Sequence, residues 1–178
     1  MSDLDLATWI TILATWVLAV GTLAFAYWQL RQNQRLHSAS TLLDLRERFF
    51  SPRLQRSRKA ISTWLLKSDR KDEPTDWEVT FFFELLGSLT RTRNLEKRLV
   101  RNAFSTWITA YYTGLTQPID LIAQWRAEDH DPLIFADFEW LARQIIEYER
   151  GLVPSPESPG SELEQARYVL EGDSRLEG

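Results

Sequence analysis

The feature that most constrains this chain is a long run without a charged side chain. Asp5 precedes the run and Arg31 follows it, so 25 residues in a row, 6–30, carry no charge. A helix of that length spans about 37 Å at 1.5 Å per residue, and a bilayer's hydrocarbon core is about 30 Å thick. Trp9 and Trp28 lie near its two ends, as interfacial aromatic residues do. The run therefore predicts a transmembrane helix over residues 6–30.

The charges that flank this run predict its orientation. Asp3 and Asp5 precede it without any Lys or Arg, whereas residues 31–59 carry eight basic and two acidic side chains. Basic residues accumulate on the cytoplasmic side of membrane spans. We therefore expect a single-pass protein of the inner membrane, in contact with membrane lipids, with residues 1–5 outside and residues 31–178 in the cytoplasm.

The uncharged run also repeats in sevens. One heptad position is small and the next is polar: Ala7, Ala14 and Gly21, then Thr8, Thr15, Thr22 and Gln29. Small residues allow helices to approach closely, and Thr side chains can bond across the contact. The repeat predicts a homo-oligomer formed through this face, or, as a sharper hypothesis, a water-filled pore lined by the polar positions. In the alternative, each Thr bonds to its own helix and faces lipid.

The rest of the chain favours an all-α fold. No segment alternates with period two, and residues 31–152 read as a cytosolic helical bundle followed by a Pro/Ser-rich linker and a short C-terminal helix in 153–178. Ser51 and Pro52 form a stop-and-restart signal between two helices. We expect further helix starts at the capping-box pattern 75–78, at Asn94 and at Asp131, and a helix end at Gly151.

Apolar spacing predicts the core of this bundle. The helix that follows residue 77 is apolar over most of its circumference, which predicts that it is the central helix. In the last main helix, apolar residues recur at spacings of 4, 3, 4 and 3. The side chains that we expect to be most buried are Phe83, Phe104, Trp107, Phe138 and Leu141.

Composition excludes several chemistries. The chain has no cysteine and only two histidines, His37 and His130, which excludes disulfides, zinc–thiolate sites and thiol nucleophiles. We predict no metal site and no cofactor. The net charge of −4 argues against general binding of polyanions, although residues 120–178 carry 14 acidic and five basic side chains. Basic charge is thus concentrated in residues 31–59 and acidic charge in residues 120–178. This separation indicates either solvated helix faces or packing of one subunit's basic segment on the acidic part of the next subunit.

Two groups of residues are candidates for chemistry. Arg31 and His37 fit the loose R-x(4–6)-H spacing of HEPN ribonucleases, in which His acts as acid or base and Arg steadies phosphate charge. Residues six apart point about 120° from each other on one helix, so such a site would have to form between subunits. Glu84 lies in an aromatic run, and we expect it at the edge of the core or paired with Arg91 or Arg143.

Several features resemble known membrane proteins. The single span, the basic exit helix, the break at Phe49-Phe50-Ser51-Pro52 and the run from Phe138 to Ala142 resemble, over residues 6–150, a domain-of-unknown-function family of bacterial single-span proteins with a helical cytosolic domain. More remotely, the layout is similar to the membrane pore accessory protein of type VI-B CRISPR systems. That resemblance implies a pore-forming oligomer in antiviral defence with a diverged HEPN-like motif, to which Arg31 and His37 would correspond.

Three functions are compatible with these patterns. The first is a membrane-anchored, self-assembling helical protein, as a pore or effector in antiviral defence. The second is a membrane-tethered HEPN-like ribonuclease acting on RNA. The third is a passive membrane scaffold that recruits a cytosolic protein partner. The lack of a clear catalytic constellation favours a protein that is not an enzyme.

Overall fold

The computed structural model describes residues 3–67, 74, 76–152 and 159–176, and this part of the chain is helical without a strand. The all-α prediction is therefore confirmed. The helices are α1 (Asp3–Phe49), α2 (Pro52–Leu66), α3 (Glu78–Arg91), α4 (Lys97–Thr116), α5 (Leu121–Glu128), α6 (Ala136–Leu152) and α7 (Pro159–Ser174).

The prediction of a transmembrane helix over residues 6–30 is wrong. Among the residues that the structure describes, none of the helices combines the length and the apolar character that a membrane span requires. The prediction rested on the absence of charge, and an uncharged helix still carries polar groups such as those of Thr11, Thr22 and Gln29. The predicted single-pass inner-membrane topology depended on this span and is wrong for the same reason, and the pore hypothesis is left without support.

The chain divides into two compact units, Met1–Ser40 and Thr41–Gly178. The first unit consists of the greater part of α1. The second contains the last turns of α1 and the helices α2 to α7, and it holds the hydrophobic core. Within the second unit, α1 contributes Leu45 and Phe49 to that core.

Local capping signals set some helix starts of this second unit. Ser51 is the N-cap of α2, as predicted, and its hydroxyl oxygen accepts a hydrogen bond from the Leu54 N–H at 3.4 Å. Asp120 caps α5 in the same way, since its carboxylate accepts from the Ala123 N–H at 3.0 Å. Both residues satisfy N–H groups that the first turn of a helix leaves without a partner.

The other predicted helix boundaries are wrong by a few residues. The N-cap of α3 is Trp77, whose side chain makes no capping bond, and the Glu78 N–H donates to the Asp76 carboxylate at 2.9 Å; Thr75 of the predicted capping box lies outside the described residues. Helix α4 begins at Lys97 rather than after Asn94, and α6 begins at Ala136, after a turn in which Asp131 accepts from the Leu133 N–H. Helix α6 also runs through Gly151 to Leu152. Short polar motifs thus locate the break between two helices more reliably than they locate the first residue of the next helix.

Helix α4, and not α3, lies at the centre of the bundle. It packs against α2, α3, α5, α6 and α7, and it buries Val100, Phe104, Ile108 and Tyr111 along one side. Helix α3 is apolar over most of its circumference, but other helices do not cover all of it, since Phe81 is 61% exposed. Four of the five predicted core residues are almost fully buried, whereas Trp107 is only partly buried.

Helices α3 and α6 approach each other closely at Gly87. A Cβ atom added there would lie 2.2 Å from the carbonyl oxygen of Asp137 and 3.0 Å from the nitrogen of Phe138. Both atoms belong to the backbone of α6, which cannot turn aside as a flexible side chain can. Glycine is therefore required for this contact.

We expect Gly87→Ala to lower the free energy of unfolding by about 3 kcal/mol, at the upper end of the cost of overpacking a core. The added methyl group forces α3 and α6 apart, and this outweighs the gain in helix propensity. Gly172→Ala is the matched control, since nothing lies within 4 Å of its added Cβ and Ala favours a helix over Gly. Urea denaturation of both variants checks the prediction, which equal stabilities would contradict.

Candidate functional site

The described side chains of α1 before residue 30 are exposed. Every residue in 16–29 is exposed in the isolated chain. The large apolar side chains among those described here are between 57% and 71% exposed: Trp9, Leu13, Trp16, Val17, Leu18, Val20, Leu23, Phe25, Tyr27 and Trp28. Apolar surface on this scale marks an interaction site in most proteins.

Part of the predicted small-and-polar face lies within this exposed segment. Gly21, Thr22 and Gln29 are exposed, and a Cβ added at Gly21 would meet nothing within 4 Å. The Thr22 hydroxyl donates to the carbonyl oxygen of Leu18 at 2.8 Å, within its own helix. The remaining members of this face have side chains outside the described residues: Ala7, Thr8, Ala14 and Thr15.

The candidate catalytic pair also lies on α1. The side chains of Arg31 and His37 are outside the described residues, so the distance between them is not defined. The ribonuclease hypothesis, with RNA as substrate, stays a prediction. So does the hypothesis of a cytosolic protein partner.

A buried polar cluster joins three helices of the bundle. Arg58 of α2, Tyr111 of α4 and Asp173 of α7 are 3%, 0% and 4% exposed. Arg58 Nε donates to Asp173 Oδ2 at 3.1 Å, and Arg58 Nη2 forms a second, shorter bond to Oδ1. The Tyr111 hydroxyl donates to Asp173 Oδ2 at 2.8 Å. The Asp173 carboxylate thus accepts a bidentate contact from the guanidinium and a third bond from the phenol.

The surroundings of Arg58 hold its guanidinium in place. Its Cζ lies 4.4 Å from the ring centroid of Phe49 and 5.6 Å from that of Trp107, within range of cation–π attraction. One nitrogen, Nη1, is buried without a hydrogen-bond partner. Burial raises the pKa of Tyr111 well above its usual value, and the neighbouring Asp173 adds to this shift. The phenol therefore remains a hydrogen-bond donor at any physiological pH.

The sequence analysis missed this cluster, although the sequence carries a signal for it. Arg58 lies on the same helical stripe as Leu54, Ile61 and Leu65, at spacings of 4, 3 and 4, and these three residues are buried. A basic residue in such a stripe needs a buried acidic partner. That partner, Asp173, is 115 positions away in sequence, and no local pattern connects the two.

Glu84 is half-buried at the edge of the core, the first of the two alternatives expected, and it pairs with neither arginine. Its carboxylate accepts from the N–H groups of Asp137 and Phe138, at 3.2 and 2.7 Å, at the start of α6. Arg91 pairs with Asp137 and Arg143 with Glu139, so pairing of Glu84 with either arginine is wrong. Burial raises the pKa of Glu84 above its usual value, while the two N–H groups oppose that shift. The residue joins α3 to α6 and is structural.

Comparison with known proteins places the chain in a family. Residues 16–145 match the model of a domain of unknown function, DUF4760. The match covers well over half of the chain, which therefore belongs to this family. The matched range includes Gly21, Arg58 and Tyr111, and it ends before α7 and Asp173. No curated protein and no solved structure gives a significant match.

Proposed function

We propose that this protein is a self-assembling helical protein whose copies associate through α1. The observation that carries the proposal is the exposed apolar surface of residues 16–29. Burial of apolar surface contributes about 25 cal/mol per Å², so these exposed apolar side chains are more stable against a partner than in water. A second copy presents the same helix, which makes it an available and self-complementary partner.

The heptad repeat supports a helix–helix contact in particular. A period of seven residues keeps one face of a helix against its partner when the two helices supercoil to the left. On that face, Gly21 is open to approach by another backbone. Because the Thr22 hydroxyl already donates to Leu18, burying Thr22 in the contact would leave its donor satisfied. At Gly21 and Thr22 this face therefore suits close packing without leaving the Thr22 hydroxyl unpaired.

We expect Gly21→Leu to weaken assembly at least tenfold, measured as the concentration at which half of the chains are oligomeric. The new side chain separates the paired backbones. It meets no atom within its own chain, and leucine favours a helix over glycine, so a loss of assembly reports a contact between copies. Leu23→Ile is the control, since residue 23 lies about 160° around the helix from Gly21 and the volume is unchanged.

Native mass measurement over a wide concentration range reads the number of subunits in each variant. Loss of assembly in the Gly21 variant and its retention in the Leu23 variant support the proposal. A wild-type chain that stays monomeric throughout would contradict it. So would a chain that binds lipid vesicles through α1 but never associates with another copy.

A further inference from the structure

Helix α7 fills a groove between α2 and α4 and presents one narrow stripe to it. Ala166, Leu170 and Asp173 are 3%, 3% and 4% exposed, at spacings of 4 and 3. On the opposite side, Tyr168 is 81% exposed, while Leu163 extends the stripe by one turn toward the start of α7 and is 41% exposed. The contact therefore depends on a small residue, a leucine and a carboxylate on one face of an amphipathic helix. This is the pattern by which a helix binds in a groove.

The apolar half of the groove is shaped for the leucine. Gly114 of α4 leaves a hollow, and Leu170 Cδ1 lies 3.1 Å from the position that a Cβ at Gly114 would take. Leu65 of α2 approaches the same position, also at 3.1 Å. A side chain larger than glycine at residue 114 would compete with the incoming leucine.

The polar half of the groove is formed by Arg58 of α2 and Tyr111 of α4, with Phe49 of α1 against the guanidinium. Arg58 is stacked on Phe49, and the Tyr111 hydroxyl is also 3.1 Å from the Arg58 carbonyl oxygen. The guanidinium and the phenol thus both lie within hydrogen-bond distance of one carboxylate, that of Asp173. Arg58 Nη1 is a third donor and is unpaired even with Asp173 bound. This end of the groove is selective for an acidic side chain.

The residues that form the groove lie within the range matched by the family model, whereas the helix that occupies it does not. Arg58, Leu65, Tyr111 and Gly114 lie within the matched range 16–145, whereas α7 lies beyond it. The donors therefore lie within the matched range, and the carboxylate that accepts from them lies outside it.

We infer that the α2–α4 groove is a binding site for an acidic amphipathic helix of a partner protein, and that α7 occupies it as a ligand within the same chain. The partner's helix carries a small residue, a leucine four positions later and an aspartate three positions after that. This inference goes beyond assembly through α1 and does not depend on it.

The test uses the full chain and a fluorescent peptide of residues 159–176 as the probe. We expect the peptide to bind full-length Asp173→Asn at least tenfold more tightly than the wild type, because the weakened α7 competes less for the groove. A peptide carrying the same Asp173→Asn change should bind at least tenfold more weakly than the wild-type peptide. Fluorescence anisotropy measures each dissociation constant.

A second full-length variant, Leu170→Ala, weakens α7 without leaving Arg58 unpaired, and it serves if Asp173→Asn does not fold. Adding Gly114→Leu to either variant should abolish binding of the peptide. Failure of the wild-type peptide to bind Leu170→Ala would overturn the inference. Equal binding of the two peptides would overturn it as well, since the groove would then not recognise the carboxylate.

Discussion

Phe138→Ala is expected to lower the free energy of unfolding by about 3–5 kcal/mol, the usual cost of removing a large aromatic side chain from a core. Phe138 is fully buried on α6. Its ring stacks on that of Phe83 with centroids 5.3 Å apart, and the ring of Tyr112 meets its edge at 6.0 Å. The substitution thus removes contacts with both α3 and α4 and leaves a cavity between three helices.

Tyr148→Ala is the matched control for this prediction. Tyr148 is an aromatic residue on the same helix but is 42% exposed, with Arg101 over its ring. We expect a loss of about 1 kcal/mol or less, as for a partly exposed cation–π contact. Urea denaturation measures both variants. A similar loss of unfolding free energy in the two variants would contradict the burial of Phe138 in the core.

Asp173→Ala is expected to cost about 3–5 kcal/mol, because it leaves the buried guanidinium of Arg58 without its counter-charge. The double variant Arg58→Met/Asp173→Leu should recover most of that loss, since apolar residues of similar volume replace a buried pair at little cost. The pair therefore determines where α7 docks more than it adds net stability.

The control for the Asp173 prediction is Glu171→Ala on the same helix. Glu171 pairs with Arg167 at 3.1 Å, with side chains that are 41% and 71% exposed. Pairs of this kind contribute under about 1 kcal/mol. Thermal and urea unfolding compare the variants. Equal small losses for Asp173→Ala and Glu171→Ala would contradict burial of the Arg58–Asp173 pair.

Local signals in the sequence predicted part of the bundle. Ser51 and Pro52 place the start of α2 because cap and first-turn preferences depend on a few adjacent residues. The spacing along α6 predicted that Phe138 and Leu141 are buried, because periodicity is also local. The all-α class follows from the same patterns.

Features that depend on distant contacts could not be predicted. The stripe along α2 signals that Arg58 is buried, but its partner Asp173 lies near the other end of the chain and no local pattern connects the two. The position of α4 at the centre follows from which faces meet in three dimensions, which composition does not give. The predicted span fails for a different reason, because an absence of charge does not by itself make a helix apolar enough to cross a membrane.

Disulfide cross-linking tests assembly through α1 most directly. The chain has no cysteine, so a single cysteine can form a disulfide only with another copy, and only where the two Cα atoms come within about 7 Å. We predict that Gly21→Cys forms a covalent dimer under mild oxidation at low protein concentration, whereas Leu23→Cys, also exposed but on the far side of the helix, does not. Equal cross-linking of the two variants, or none in either, would contradict association through the face that contains Gly21.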